Sequence, residues 1–356
     1  MRSPDVQQLG MFSYVSVEER VPSDHPIRKL RVLVDSILGE LDGVLGARYA
    51  EGGRPSIPPE RLLRAALLQV VYSVRSERLL MEQMSYNLLF RWFAGLNIDD
   101  PVWDHSTFSF NRDRLFDDQI AQDFFAHTVL LARVNELVSD EHFSVDGTLL
   151  EAWASHKSFR PKDGSSGDGA DFHGQTRRND THASTTDPDA RLMRKSKGQE
   201  AKLSYLANSL MENRNGLIVG IDVRHASGTG ERDGALDLTD AHLKRGDTLG
   251  ADKGYDTREF VDALQQRGIK PHMARNTSGR RSAIDARCAR SHGYAMSMQV
   301  RKRIEQGFGW VKTIGGLGKL PLVGLARVRG WVAWNFAAYN LIRIGGIGEW
   351  WNPSPT

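Results

Sequence analysis

A single cysteine, Cys288, stands among 356 residues, so no disulfide can form within the chain. No run of about 18 apolar residues is present to cross a membrane. Residues 1–10 lack the apolar core that opens a secretory signal. The expectation is a soluble, cytoplasmic protein that touches no membrane. Also missing are paired Cys/His zinc spacings, a P-loop, a Gly-x-Ser-x-Gly elbow and a dinucleotide fingerprint. The 11 histidines are scattered. His142 and His156 flank Asp146 without a metal-ligand spacing, and they read as structural or DNA-facing.

Acidic charge is short in one place. The whole chain is nearly balanced, with 47 Lys and Arg against 44 Asp and Glu, net +3. Residues 267–319 hold twelve Lys and Arg against only Asp285 and Glu305, so that segment is +10 and the remainder −7. A concentrated basic segment suits a polyanion, nucleic acid first; the plainer alternative is a solvated basic face. The length allows two or three domains and a sizeable core.

Residues 1–55 read as an N-terminal arm and helix. Phe12, Tyr14, Val15 and Val17 suit a short strand or extended arm, and apolar spacing predicts a helix over 27–45, ended by Gly46 and residues 51–55. Residues 56–138 read as a helical domain. Pro58-Pro59-Glu60 is a helix start, and Leu62, Leu63, Ala66, Leu67, Val70, Val71 and Val74 form its stripe. A second helix over 78–93 closes at Gly95. The polar segment 106–114 carries Ser106, Thr107, Asn111 and Arg112 and opens on good capping residues. It suits the DNA-reading helix of a helix-turn-helix, or else an amphipathic helix within a bundle. A further helix is predicted over 120–137.

At 139 the pattern changes to strands alternating with helices, and this region runs to 348. Strands are predicted over 142–150, 202–211, 216–225, 248–252 and 269–274, with helices over 234–243 and 257–267. A last helix over 331–344 sets Trp334, Ala337, Ala338, Leu341 and Ile342 on its core side. Residues 155–200 are polar and read as a long mobile insertion, whose Arg177, Arg178, Arg194, Lys195 and Lys197 suit phosphate contact. Residues 349–356 form a tail.

Residues 298–312 read as one helix. Val300, Ile304, Phe308 and Val311 share its apolar face, and Met298, Arg301, Glu305 and Lys312 lie beside it. The bland reading is a surface Arg301–Glu305 pair. The other reading joins Glu305 to Asp146 and Asp252, each expected at or near a strand end. Spacings of 106 and 53 residues mean that only the fold can bring them together. Three carboxylates in a basic protein suit two Mg²⁺ ions acting on a phosphodiester, with Mn²⁺ as a substitute.

These blocks carry a resemblance. Gly53-Arg-Pro-Ser-Ile-Pro through Asn87-Leu-Leu-Phe-Arg-Trp-Phe93, Asp104-His-Ser-Thr-Phe108, Phe143-Ser-Val-Asp-Gly-Thr148, Ala251-Asp-Lys-Gly-Tyr255 and Arg301-Lys-Arg-Ile-Glu-Gln-Gly-Phe-Gly-Trp-Val-Lys312 together resemble a bacterial insertion-sequence transposase of the DDE type, in the insertion sequence five family. The resemblance spans nearly the whole chain. It implies a helical N-terminal DNA-binding domain followed by an RNase H-like mixed-sheet catalytic core, an α+β or α/β architecture. It also implies Asp146, Asp252 and Glu305 as catalytic metal ligands. Double-stranded DNA would be the partner, as terminal inverted repeats and target, in the nucleoid and bound by a homodimer. Arg301, Glu305 and Lys312 match a Tyr-Arg-Glu-Lys signature in spacing, and Met298 stands at the tyrosine position. Arg301 and Lys312 would bind phosphate, with Lys302 and Arg303 beside them. Two alternatives stay open: a catalytically silent DNA-binding repressor, and an RNase H-like nuclease without strand transfer.

Overall fold

Polar side chains that accept free backbone N–H groups open most of the N-terminal helices. Ser16 caps α1 (Val17–Arg20), and the His25 ring caps α2 (Pro26–Glu40). Helix α3 (Asp42–Gly46) follows, and α4 (Pro59–Val71) begins on the expected proline signal. Ser76 caps α5 (Glu77–Tyr86) and Asn87 caps α6 (Leu88–Ala94). Helices α7 (His105–Leu115) and α8 (Asp118–Val134) complete the region. This computed structural model describes residues 15–48, 56–115, 118–163, 177–196, 198–278 and 281–347. Phe12 and Tyr14 of the expected arm, the helix stop at 51–55, Lys197 and the tail 349–356 lie outside the described residues.

Two expectations change here. Val17 starts a helix rather than extending an arm, because Ser16 and Glu19 form a reciprocal capping box. The expected helix over 78–93 is two helices. Asn87 is extended (φ −85°, ψ 106°), and its side chain takes the N–H groups of Leu89 and Phe90, so α6 restarts at a new angle. Gly95 then closes α6 in the left-handed region at φ 85°, where a side chain would be strained.

The second region is a mixed sheet. Its strands are β1 (His142–Glu151), β4 (Arg191–Met193), β5 (Lys202–Glu212), β6 (Ile218–His225), β7 (Thr248–Ala251) and β8 (Lys270–Met273). β5 is antiparallel to β1 and β6, whereas β1, β7 and β8 run parallel, giving the order β6-β5-β1-β7-β8 with β4 on the same edge of β5 as β6. This is the mixed-sheet core that the resemblance implied. Helices α9 (Gly230–His242) and α10 (Arg258–Gln266) connect β6 to β7 and β7 to β8. After β8 come α11 (Ala286–Ala289), α12 (His292–Val300), α13 (Arg303–Thr313) and α14 (Leu325–Gly346).

Helix α14 ties the two regions into one core. It packs on α8, α2 and α4 of the first region and on β6 and α13 of the second. Trp334 is fully buried, with its ring 4.5 Å from that of Phe124 on α8. Burial of each such side chain stabilises by about 1.5–3 kcal/mol. Asn340 bonds both backbone groups of Ile218, at 2.9 and 2.8 Å, which fixes α14 against β6. Ile342, expected on the core side, is instead 40% exposed.

The described parts of the polar insertion are folded. β2 (Phe159–Pro161) pairs with β3 (His182–Ser184), and β4 joins the main sheet. Polar contacts do the work that apolar burial does elsewhere. The Asn179 side chain bonds both N–H and C=O of Leu192, and buried Asp187 accepts a 2.6 Å hydrogen bond from Tyr205. Composition alone does not register bonds of this kind, which is why the segment reads as mobile from sequence.

Candidate active site

β1 and β7 lie side by side and parallel, with Ser144 opposite Gly250. β7 ends at Ala251 while β1 continues to Glu151. Two residues beyond the last pair, Asp146 comes level with Asp252. Asp146 is therefore in the middle of β1, not at its end; what ends beside it is the pairing with β7. Asp252 follows β7 directly, and its carboxylate accepts the Gly254 N–H at 2.6 Å, which starts the turn Lys253–Tyr255. Glu305 occupies the first turn of α13, where the helix dipole favours an acid.

The expected single helix over 298–312 is broken. Between α12 and α13 the backbone turns at Arg301 and Lys302, where Ile304 and Glu305 bond three residues back instead of four. α12 packs on β8, and α13 on β1 and α14, so each piece follows its own strand. No Arg301–Glu305 ion pair forms. Ile304, Phe308 and Val311 are buried as expected, and Val300 is partly buried.

The three acids nevertheless line one cleft of about 260 Å³, together with Lys253, Arg275 and Arg301. Burial pushes the Asp146 carboxyl up to about 7; the charges of Asp252, Glu231 and Glu305 add to this, and the Gly147 N–H opposes it. Arg301 Nε is buried without a hydrogen-bond partner among the described residues. Lys312 Nζ donates to Thr148 Oγ1 at 2.5 Å and Leu149 O at 3.2 Å, just past Asp146 on β1. Burial lowers the Lys312 pKa, and the charge of Lys195 lowers it further. The insertion thus brings one of its expected phosphate-contact lysines near Lys312.

The other candidates fall elsewhere. Lys302 is exposed, and Arg303 donates to the carbonyls of Asn213 and Arg214 at 2.9 and 3.2 Å. Ser106, Thr107, Asn111 and Arg112 sit on α7, and none lines the acid cleft. Ser106 is held by Asp104, and Asn111 bonds back to Thr107 O at 2.8 Å. Arg112 pairs with Glu77 of α5, which also accepts from Ser109. Ser106, Thr107 and Phe110 face outward, and Phe110 is 72% exposed. His142 is structural: its ring and that of His272 bond Ser297 Oγ at 2.7 and 2.6 Å. Sequence reading missed Thr148, Asn208, Arg275 and Glu231. None carries a periodic signal, and only the sheet register and helix packing bring them near the acids.

Residues 139–341 match the family model described as Transposase DDE domain, and residues 15–114 match one described as Transposase domain (DUF772). The chain belongs to the DDE transposase family. A search of curated proteins gives no match to this transposase. Among solved structures it is similar to the piggyBac transposase synaptic complex with hairpin DNA, at 10% identity and TM-score 0.42, over 90% of this chain and 75% of that one. It is also similar to a pre-cleavage Mos1 transpososome, at 9% identity and TM-score 0.21, over 85% of this chain and 83% of that one. A Mos1 mariner paired-end complex with Mn matches at 13% identity and TM-score 0.20, over 84% and 82%. Likeness at this level carries no residue correspondence.

DDE transposases generally use divalent metal. The cleft offers carboxylate oxygens, hard ligands of the kind that suit Mg²⁺ or Mn²⁺. A cation in the cleft would offset both the burial and the neighbouring negative charges that raise Asp146. Among the described residues no three acidic, His or Cys side chains stand close enough to hold one ion. Asp146 is fixed within a strand, whereas Glu305 is exposed on the first turn of α13. Also among the described residues, no helix is long and apolar enough to cross a membrane.

Proposed function

We propose that this transposase binds the terminal inverted repeats of its own insertion sequence and carries out Mg²⁺-dependent strand cleavage and strand transfer. The observation that carries the reading is one cleft lined by Asp146, Asp252 and Glu305, acids from three distant blocks, with Lys253, Arg275 and Arg301 among them. Asp146, Asp252 and Glu305 would hold two Mg²⁺ ions, with Mn²⁺ as a substitute. Bound there, such ions supply an activated water or 3′-hydroxyl and stabilise the leaving 3′-oxygen.

The remaining chemistry belongs to the protein. Arg301 lines the cleft and adds positive charge for a phosphate oxygen beside the acids. Lys312, held against β1 by Thr148, adds positive charge near the reacting phosphodiester, and Lys195 extends it along the strand. Lys302 and Arg303 lie outside the cleft and serve the DNA backbone beyond it. In this reading residues 1–55 form the arm and first helix, 56–138 the DNA-binding domain, and 139–348 the catalytic domain with its insertion at 155–200. α7 presents Ser106 and Thr107 to DNA, while Asn111 and Arg112 brace it. Two copies pair the two ends of the element as a homodimer, in the cytoplasm on nucleoid DNA.

The test is incubation of a pre-cut element end with supercoiled target DNA and Mg²⁺. Covalent joining of the 3′ end to target is expected. Cleavage of intact ends without joining would favour the nuclease reading, and tight end binding without either would favour the repressor.

A further inference from the structure

Glu231 opens the first turn of α9, the helix that covers β1, β5 and β6 on the side of the sheet that Gly147 faces. As a residue it is exposed, but its carboxyl end turns toward the strand that bears Asp146. A side chain at Gly147 would place its Cβ 2.7 Å from Glu231 Cγ and 3.3 Å from its carboxyl carbon. The acid can approach β1 because the residue after Asp146 is glycine. Its carboxylate shares the charged neighbourhood of Asp146 and Asp252. Arg232 is the basic group that opposes this clustering.

Two buried polar atoms near Glu231 have no hydrogen-bond partner among the described residues. Tyr255 is 1% exposed, its hydroxyl makes no hydrogen bond, and it lies in the field of Asp146, Glu231 and Asp252. Asn208 is fully buried opposite Gly147 on β5. Its amide nitrogen donates to Asp222 and to Gly230 O, and its Oδ1 is left without a donor. That Oδ1 lies 2.7 Å from the Gly147 Cβ position, the same small space that Glu231 enters. Unsatisfied acceptors and carboxylates gathered in a buried setting are costly unless a cation or its water shell answers them.

We propose that Glu231 is a fourth metal-holding carboxylate of this transposase, reaching the divalent ion at Asp146 from the face of the sheet opposite α13. Glu305 approaches from α13 on the far side, so the two glutamates would grip the Asp146 level from both faces. Asn208 Oδ1 and the Tyr255 hydroxyl would bond the water shell of an ion held there. This rests on the reading that Asp146 and Asp252 bind divalent metal.

The test is Mn²⁺ binding by the full chain without DNA, followed by the electron paramagnetic resonance of free Mn²⁺. Wild type, Glu231→Gln, Glu231→Asp and Asp252→Asn are compared, each with a thermal unfolding curve. Glu231→Gln is expected to weaken binding on the order of tenfold or more, or to lower the number of ions bound, at unchanged unfolding temperature. Glu231→Asp should keep part of the affinity. Wild-type binding by Glu231→Gln, with binding lost in Asp252→Asn, would overturn the role of Glu231 and leave the three-acid site standing. Binding lost by Glu231→Gln only in step with its fold would also overturn it. A wild type that binds no Mn²⁺ would overturn both.

Discussion

Replacing Gly147 with alanine adds one methyl group beside the acid cleft, and the structure sets its cost. The new Cβ would stand 2.7 Å from Asn208 Oδ1 and 2.7 Å from Glu231 Cγ, inside any normal carbon contact. In an open strand the same change is mildly favourable, by roughly 0.5–1 kcal/mol, because alanine has less backbone freedom to lose. The sign therefore tests the crowding. Asn208 cannot yield cheaply, since it bonds Asp222 at 2.9 Å and Gly230 O at 3.2 Å and is fully buried. Gly234 crowds it from the other side, where a Cβ would sit 2.0 Å from its Nδ2. Overpacking of this kind costs about 1–3 kcal/mol, and each hydrogen bond lost adds about 1 kcal/mol. The expected destabilisation by urea unfolding is about 2–4 kcal/mol at unchanged m-value. A change under about 0.5 kcal/mol, or a gain, would refute the packing described for Gly147, Asn208 and Glu231.

Lys312→Ala removes the bonds to Thr148 and Leu149; it should weaken binding to an element end and lower the salt slope of that binding by about one phosphate contact, and an unchanged slope would sink the phosphate role. Arg112→Ala leaves partly buried Glu77 without its cation and should destabilise the chain by about 1–3 kcal/mol in chemical unfolding, while a silent change would mean α7 is not braced by that pair. His272 is held below its ordinary 6.5, at about 4, first by burial and then by His142 and Lys270. The unfolded chain therefore binds the extra proton between those values. Stability should be full above about pH 6.5 and fall as pH drops toward 4, by roughly 3 kcal/mol at most from this group. His272→Phe should flatten that part of an acid-unfolding profile, and an unchanged slope would assign the loss to other groups.

Much of the core was readable because strand and helix periods report burial directly. The stripe from Leu62 to Val70 and the acids that follow or interrupt apolar strands are patterns of that kind. Breaks between helices were not readable where near-helical backbone only changes register. Arg301 and Lys302 keep helical angles while α12 and α13 follow different strands. Asn87 resembles a mid-helix residue until its side chain turns to cap α6. The described parts of the insertion are ordered by Asn179, Asp187 and Ser184 bonding backbone and hydroxyl groups, which leaves no apolar signature in the sequence. Arg112 suggested a DNA contact by type, but Glu77 approaches it from a helix 35 residues away in sequence. Glu231 was invisible for a related reason: only the β1–β5 register and the packing of α9 bring it to Asp146.

In the proposed function Asp146, Asp252 and Glu305 act together on DNA through divalent metal. The most direct measurement is Mg²⁺-dependent nicking of a duplex carrying the element's own end, with wild type and Glu305→Gln side by side and end binding measured on the same samples. Wild type is expected to nick at the terminus, and the variant to lose nicking while it retains binding. Nicking by Glu305→Gln at the wild-type rate would contradict the proposed function.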